Sequence, residues 1–319
     1  MKLREIITEG ISLTRYKSNI HDAVNGSVIT TLGYIKNLQD QHAETLDLVN
    51  RTNGNLSQLT SAMLTDTVNY LEQGIVKELK PVVFAIVDRE SGADNRTNKN
   101  VNYAKDFEFS FDDTNIGGSA YNFVIEISKN LLVRIQKNTL RYLADYAKKN
   151  NYSEEALGDA FFASIDDTVE NPQELLEYLS ELTNQLTTTV IHEMVHIVQN
   201  WKQFKAGRND KQYRSYLVKD PEKFYQSTER LNTADEQPDD WKWYHASPQE
   251  IAAYAHTIAL DIIKDYQLSA YNIDSNTIIA YVKQHLKDSM PNPSTQQEVQ
   301  IYRRYLKLAY QECMQYVQQ

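Results

Sequence analysis

The stretch from Thr187 to Trp201, TTTVIHEMVHIVQNW, places the strongest constraint on how this chain can fold. Its apolar side chains cover most of the surface of a helix, which predicts a helix buried in the core. The polar side chains fall on one stripe: Thr189, His192, Glu193, His196, Gln199 and Asn200. Burying two imidazoles and a carboxylate without partners costs free energy, so this stripe is expected to face a metal ion or a wet cleft.

Within that stripe, His192, Glu193 and His196 form the pattern H-E-x-x-H. Residues four apart lie on one helix face, so both imidazoles reach the same point, and Glu193 lies close enough to contact a water there. Zn²⁺ binds neutral imidazole nitrogens at about 2.0–2.1 Å and keeps a position for water, whose pKa falls to about 7. The pattern predicts a water-activating site with one zinc per chain. The alternative is that these side chains hydrogen-bond in a core or an interface.

Composition restricts the partners and the metal ligands. The chain of 319 residues has 33 Lys and Arg against 43 Asp and Glu, and its net charge of −10 argues against nucleic-acid binding. The single cysteine, Cys313, excludes an intrachain disulfide and a thiolate-rich metal site, which leaves His and carboxylates as ligands. No segment has the length of a signal peptide core or a membrane span, so we expect a cytoplasmic protein that binds no membrane.

The hydrophobic pattern changes along the chain. From Leu3 to about Leu79 it predicts amphipathic helices broken near NRTNGN. Three β-branched or alternating segments then predict strands: PVVFAIVD (Pro81–Asp88), FEFSFDD (Phe107–Asp113) and YNFVIEIS (Tyr121–Ser128). Gly117 and Gly118 suit a hairpin loop between the last two.

The remaining chain is predicted to be mostly helical. Helices are expected near Leu131–Lys149, from about Pro172 to Lys205, and throughout the region beyond Ser247. The polar segment Arg208–Trp241 is predicted to be irregular. We divide the chain into a helical region 1–80, a sheet with the motif helix 81–206, and a mostly helical subdomain 207–319 that carries the third metal ligand.

The motif HEMVH in mid-helix, after strands and before a second helix with a glutamate, resembles the zincin metallopeptidases. The resemblance implies an α+β fold: mostly helical, with a small mixed or antiparallel sheet packed on the motif helix. In the gluzincin branch a glutamate from a later helix is the third zinc ligand, and the first glutamate is the general base. The metzincin branch continues H-E-x-x-H-x-x-G-x-x-H, whereas this chain reads HEMVHIVQNWK and lacks the third histidine.

Glu250, in WYHASPQEIAAYAHTIALDII, is the leading candidate for the third ligand. Its helix carries Ala252, Ala253, Ala255 and Ala259, small residues that let two helices approach closely. The arrangement of Glu250 with Ala253 resembles the ligand helix of gluzincins. An alternative is a capping box, in which the Glu250 carboxylate accepts a hydrogen bond from the backbone N–H of Ser247. The rival ligands are Glu229, Asp235, Glu236, Asp239 and His245, and His256 is assigned to the surroundings of the metal or to the surface.

The resemblance also implies the remaining parts of a peptidase. Glu193 would take a proton from the attacking water and pass it to the leaving amine of a protein or peptide substrate. Tyr244 and His245 are the candidates for stabilising the oxyanion, because gluzincins commonly place a Tyr or His near the metal. The substrate would lie along an edge strand, for which Tyr121–Ser128 is the candidate.

Two other functions remain open. The high Asn, Gln and Tyr content, the few glycines and the opening MKLREI resemble proteins of large tailed bacteriophages. A zincin-like virion component, or another partner-binding protein with an idle site, is therefore one alternative, and host cytoplasm or virion would be its location. The other is a zinc hydrolase acting on a non-peptide amide.

Overall fold

The computed structural model describes residues 13–41, 56–91, 107–112, 118–121, 124–149, 157–205, 248–266, 275–288, 290, 292–294 and 296–317. Over these residues the chain is mostly helical and contains a small three-stranded sheet, which confirms the coarse α+β prediction. The segment Arg208–Trp241, predicted to be irregular, and the predicted break at NRTNGN lie outside the described residues.

The helices and strands are numbered here in chain order. A 3₁₀ turn, Thr14–Tyr16, leads into α1 (Lys17–Gln41), and α2 (Leu56–Gly74) runs through a π-helical segment, Ile75–Leu79, into α3 (Lys80–Ser91). The strands are β1 (Glu108–Asp112), β2 (Gly118–Tyr121) and β3 (Val124–Ser128). The later helices are α4 (Lys129–Lys149), α5 (Leu157–Glu170), α6 (Gln173–Tyr178), α7 (Ser180–Lys205), α8 (Pro248–Tyr266), α9 (Ser275–His285) and α10 (Gln296–Val317).

Helix α7, which carries H-E-x-x-H, lies in the middle of the main core. It packs against α1, α3 and α8 and against strands β2 and β3. Its apolar side chains are fully buried in one continuous hydrophobic cluster: Val190, Ile191, Met194, Val195, Ile197 and Val198. A helix that is apolar on most sides is stable only where other elements surround it, and this packing explains why the run needs no solvent face.

Helix α8 joins this core to a second one. Ala253 and Leu260 belong to the cluster around α7, whereas Ala255 and Ala259 belong to a second cluster that α8 forms with α9 and α10. Ala253 and Leu260 follow Glu250 by three and ten residues. Both spacings are close to whole helical turns, so the three side chains share one face of α8. Ala253 therefore supports the predicted close approach of α8 to α7. Ala255 and Ala259 lie instead in the contact of α8 with α9 and α10.

The sheet has the order β1-β3-β2, which corrects two predictions. β1 pairs with β3 in parallel and β2 pairs with β3 antiparallel. The predicted hairpin between FEFSFDD and YNFVIEIS is wrong, because β1 and β3 run parallel and Gly118 is the first residue of a separate strand, β2. Gly117 lies outside the described residues. The predicted strand Tyr121–Ser128 is β3, with only Tyr121 in β2, and β3 is the central strand. A central strand has both backbone edges paired, so it is unable to receive a substrate by strand addition.

The predicted strand PVVFAIVD is wrong, because residues 81–88 are part of helix α3. Val83, Ile86 and Val87 are buried at helical spacing against the core. Pro81 is tolerated because the π-helical segment precedes it, where the Lys80 N–H bonds to the Ile75 carbonyl five residues back. Burial of this face outweighs the β-propensity of its side chains.

The helix predicted near Leu131–Lys149 is confirmed as α4. Beyond Ser247 the described chain forms α8, α9 and α10, but residues 286–288, 290 and 292–294 are not helical, so the prediction of helix throughout this region is confirmed only in part. The single helix predicted from about Pro172 to Lys205 is instead divided into α6 and α7. The break is at Leu179, which is buried and caps α6. The division of the chain at residues 80 and 206 stays a prediction. Among the described helices, none is long and apolar enough to cross a membrane.

Gly74 is required where α2 crosses α1. A Cβ at this position would lie 2.6 Å from the Ser27 carbonyl oxygen and 3.1 Å from Thr31 Oγ1, and a real Cβ does not tolerate the first contact. We expect Gly74→Ala to lower the free energy of unfolding by about 1–3 kcal/mol, measured by urea denaturation, because the helices must separate. Gly33→Ala in α1 is the control: its Cβ meets nothing within 4 Å, so that variant should gain up to about 1 kcal/mol. Equal stability of the two variants would contradict this account.

Candidate metal centre

The two imidazoles of α7 and the carboxylate of α8 meet at one point. His192 and His196 lie one turn apart on α7, and Glu250 lies in the first turn of α8, which packs alongside. His192, His196 and Glu250 each offer a ligand atom, and these atoms lie within 4.8 Å of one another. Among the described residues, this is the cluster of His, Cys, Asp and Glu that is suited to a metal ion.

The distances within this cluster fit one shared cation. The two Nε2 atoms are 3.4 Å apart, His196 Nε2 is 3.5 Å from Glu250 Oε1, and His192 Nε2 is 3.7 Å from Glu250 Oε2. Ligand atoms about 2.0–2.2 Å from a tetrahedral Zn²⁺ are separated by about 3.3–3.6 Å. Hydrogen bonds from N–H groups are shorter, at about 2.7–3.2 Å. The three side chains could therefore share one metal ion, and their contacts with one another are longer than ordinary hydrogen bonds.

Burial keeps both histidines in the neutral form. Their side chains are only 13% and 12% exposed. Burial lowers the pKa of His192 to about 4, and the nearby His256 adds to the shift. Burial also lowers the pKa of His196 to about 4, although the Glu250 carboxylate opposes the change. Both rings are thus neutral near pH 7, the form whose nitrogen lone pair binds a metal.

Glu193 is a buried carboxyl group beside the same cluster. It is 5% exposed, and burial raises its pKa well above the ordinary value. The carboxylates of Glu250 and of Glu126, on the central strand β3, raise this pKa further. A carboxyl group with a raised pKa holds a proton more strongly than an exposed one, which suits a residue that accepts and returns a proton.

Aromatic and imidazole rings from later helices line the cluster. The Tyr254 ring lies 4.8 Å from the His192 ring and 5.3 Å from the His285 ring. Tyr305 on α10 is fully buried, and burial raises the pKa of its phenol, with Tyr254 and Glu250 adding to the shift. Tyr305 therefore keeps its proton.

His256 is buried, which excludes the surface position that was one of its two predicted places. It is 4% exposed, and its Nδ1 donates to the Ala252 carbonyl over 2.8 Å. Its Nε2 lies 3.3 Å from both the Leu13 backbone N–H and the Glu312 carboxylate. His256 thus links α8 to α10 and to the start of the described chain.

Tyr244 and His245, predicted to stabilise the oxyanion, lie outside the described residues, as do Ser247 and the rival ligands Glu229, Asp235, Glu236 and Asp239. Their roles stay predictions. Sequence reasoning missed four residues that surround the cluster: Tyr254, Thr257, His285 and Tyr305. Thr257 was detectable, since it is seven residues after Glu250 on the same helix face. The helices that carry His285 and Tyr305 have no local signal of where they pack.

His285 makes the stability of the metal-free protein depend on pH. Burial lowers the pKa of His285 to about 4, below its ordinary value of 6.5, so the unfolded chain binds the proton first. The free energy of unfolding therefore falls as the pH drops from about 6.5 toward 4. Between about pH 7.5 and 5, the free energy of unfolding of His285→Gln should fall by about 1–2 kcal/mol less than that of the wild type. Urea denaturation with a chelator present measures this, and the exposed Gln284→Ala is the control. An unchanged loss in His285→Gln would disprove the assignment.

Comparisons with known proteins do not identify a relative. No protein-family model matches the chain, and neither a curated protein nor a solved structure matches it. The likeness to zincins therefore depends on the motif and the cluster alone.

Proposed function

We propose that the protein is a zinc-dependent peptidase in which His192, His196 and Glu250 hold one Zn²⁺. The observation that carries the proposal is the spacing of the three ligand atoms, 3.4, 3.5 and 3.7 Å apart, in side chains that are nearly buried. Two imidazole nitrogens and one carboxylate are a ligand set of catalytic zinc sites, which keep the fourth position for water.

Zn²⁺ at this site would act as a Lewis acid and lower the pKa of a bound water to about 7. Glu193 is the proposed general base. It follows His192 directly on α7, and its carboxyl group is close enough to Glu250 for the two charges to interact. Glu193 takes one proton from the attacking water and delivers it to the amine nitrogen that leaves when the peptide bond breaks.

The proposed substrate-binding edge is β2 rather than β3. Among the described strands, β2 is bonded to β3 on one side only, and α7 packs against both. An extended peptide added to the other side of β2 would run beside the helix that carries His192 and Glu193. Backbone hydrogen bonds would hold such a peptide, so this edge by itself sets no preference for particular side chains.

Two measurements on the same purified protein test the proposal. Elemental analysis should find one zinc per chain. Fluorescently labelled casein and a mixture of synthetic peptides should be cleaved, with cleavage lost on chelation and restored by zinc. New amino termini detected by mass spectrometry would show that peptide bonds are the target.

Three results would each overturn a different part of the proposal. Absence of metal after reconstitution would mean that the cluster is only a buried polar contact. Iron in place of zinc would indicate an oxygen-dependent enzyme, because two histidines and a carboxylate also bind Fe(II). Zinc without cleavage of peptides would favour a partner-binding protein with an idle site, or a hydrolase of other amides.

A further inference from the structure

The second ring nitrogen of His192 contacts a residue of the helix that supplies Glu250. His192 Nδ1 lies 3.2 Å from Thr257 Oγ1. The Thr257 hydroxyl in turn donates to the Ala253 carbonyl over 3.3 Å. Thr257 follows Glu250 by seven residues, so both side chains project from the same face of α8 toward α7. One helix therefore contacts both ends of the same imidazole.

This chain of contacts favours one position for the ring proton. A carbonyl oxygen only accepts hydrogen bonds, so the single hydroxyl proton of Thr257 is directed at Ala253. The hydroxyl oxygen then accepts from His192, which places the proton of the neutral ring on Nδ1. The lone pair is left on Nε2, the atom that lies beside His196 and Glu250. The reverse tautomer would present an N–H to the cluster and prevent metal binding.

The geometry points to Thr257 as a positioning residue that keeps His192 in its metal-binding tautomer and orientation. This inference rests on the metal site proposed above and adds a residue that the H-E-x-x-H motif does not include. Partners that hold the second nitrogen of a ligand histidine typically change metal affinity by about 10–100-fold when they are removed. Thr257 provides this contact from the same helix as the third ligand, which makes the site depend on how α8 docks on α7.

Zinc affinity and the tautomer of His192 test the inference. Thr257→Val keeps the shape of the side chain and removes the hydroxyl, so its zinc affinity should fall by about 10–100-fold in competition with a fluorescent chelator. Thr257→Ser retains the hydroxyl and should restore most of the affinity. Thr257→Ala is the second variant if Val is not accommodated. In metal-free protein, ¹⁵N chemical shifts of the His192 ring should show the proton on Nδ1 in wild type and Thr257→Ser, and a mixture in Thr257→Val.

Thr187→Val is the matched control. Thr187 is fully buried, donates to the carbonyl four residues back, and lies 3.2 Å from Nδ1 of another histidine, His21. Its loss removes the same type of contact away from the cluster, so stability should decrease while zinc affinity stays at the wild-type value.

The outcomes separate this inference from the proposed function. Wild-type zinc affinity in Thr257→Val, or equal weakening in Thr187→Val, would overturn the role of Thr257 and leave the metal site intact. A proton on Nε2 of His192 in the wild-type, metal-free protein would also overturn it. Absence of zinc from the wild type would instead refute the metal site, and the ring shifts would still report whether Thr257 selects the tautomer.

Discussion

Glu193→Gln is expected to keep its zinc and to lose about 10²–10⁴-fold in turnover, the usual contribution of a general base. The amide has nearly the same shape as the carboxyl group, but its oxygen is far too weakly basic to take a proton from water. None of the three proposed ligands changes, so elemental analysis should still find one zinc per chain. Cleavage of labelled casein, compared with the wild type at equal zinc content, measures the loss.

Stability distinguishes this result from misfolding. Burial and two neighbouring carboxylates disfavour the charged form of Glu193, so a neutral amide there should leave the melting temperature equal to or above that of the wild type. Glu181→Gln is the matched control, because it makes the same change at an exposed position on the same helix. Full activity in Glu193→Gln would remove Glu193 from the mechanism, and loss of zinc would make it part of the metal site instead.

The part of the site that lies within one helix could be predicted from the sequence. His192 and His196 are four residues apart, and the helical repeat alone brings them to one face. Glu250 lies on a different helix, so the helical repeat gives no indication that its side chain meets that of His192. Only the small residues beside Glu250, Ala253 among them, indicated that the two helices pack closely.

The errors arose where the sequence pattern is ambiguous or where tertiary packing decides. The run PVVFAIVD is apolar at nearly every position, and such a run fits a buried helix as well as a buried strand. The strand order β1-β3-β2 depends on which backbone edges pair, and alternation of side chains carries no information on that. Likewise, His285 and Tyr305 reach the cluster only through the packing of α9 and α10 on α8.

Removing a ligand is expected to have the largest effect on metal binding. His196→Ala and Glu250→Ala should each weaken zinc binding by more than the roughly 10–100-fold typical of a lost supporting contact, because a direct bond to the metal is removed. Each variant also leaves the other two groups buried beside a cavity. Zinc content after dialysis, and competition with a fluorescent chelator, measure the loss.

His256→Gln is the control for both variants, because it changes a buried histidine on α8 that contacts Glu312 and is not one of the three proposed ligands. It should retain zinc even where it lowers stability. Binding also links to folding: a ligand present at about 100 times its Kd stabilises the native state by about 2.7 kcal/mol, so added zinc should raise the melting temperature of the wild type and of His256→Gln. The same zinc should leave His196→Ala and Glu250→Ala unchanged. Zinc retained by Glu250→Ala alone would transfer the third ligand to His245 or a nearby acid and reduce Glu250 to a helix cap.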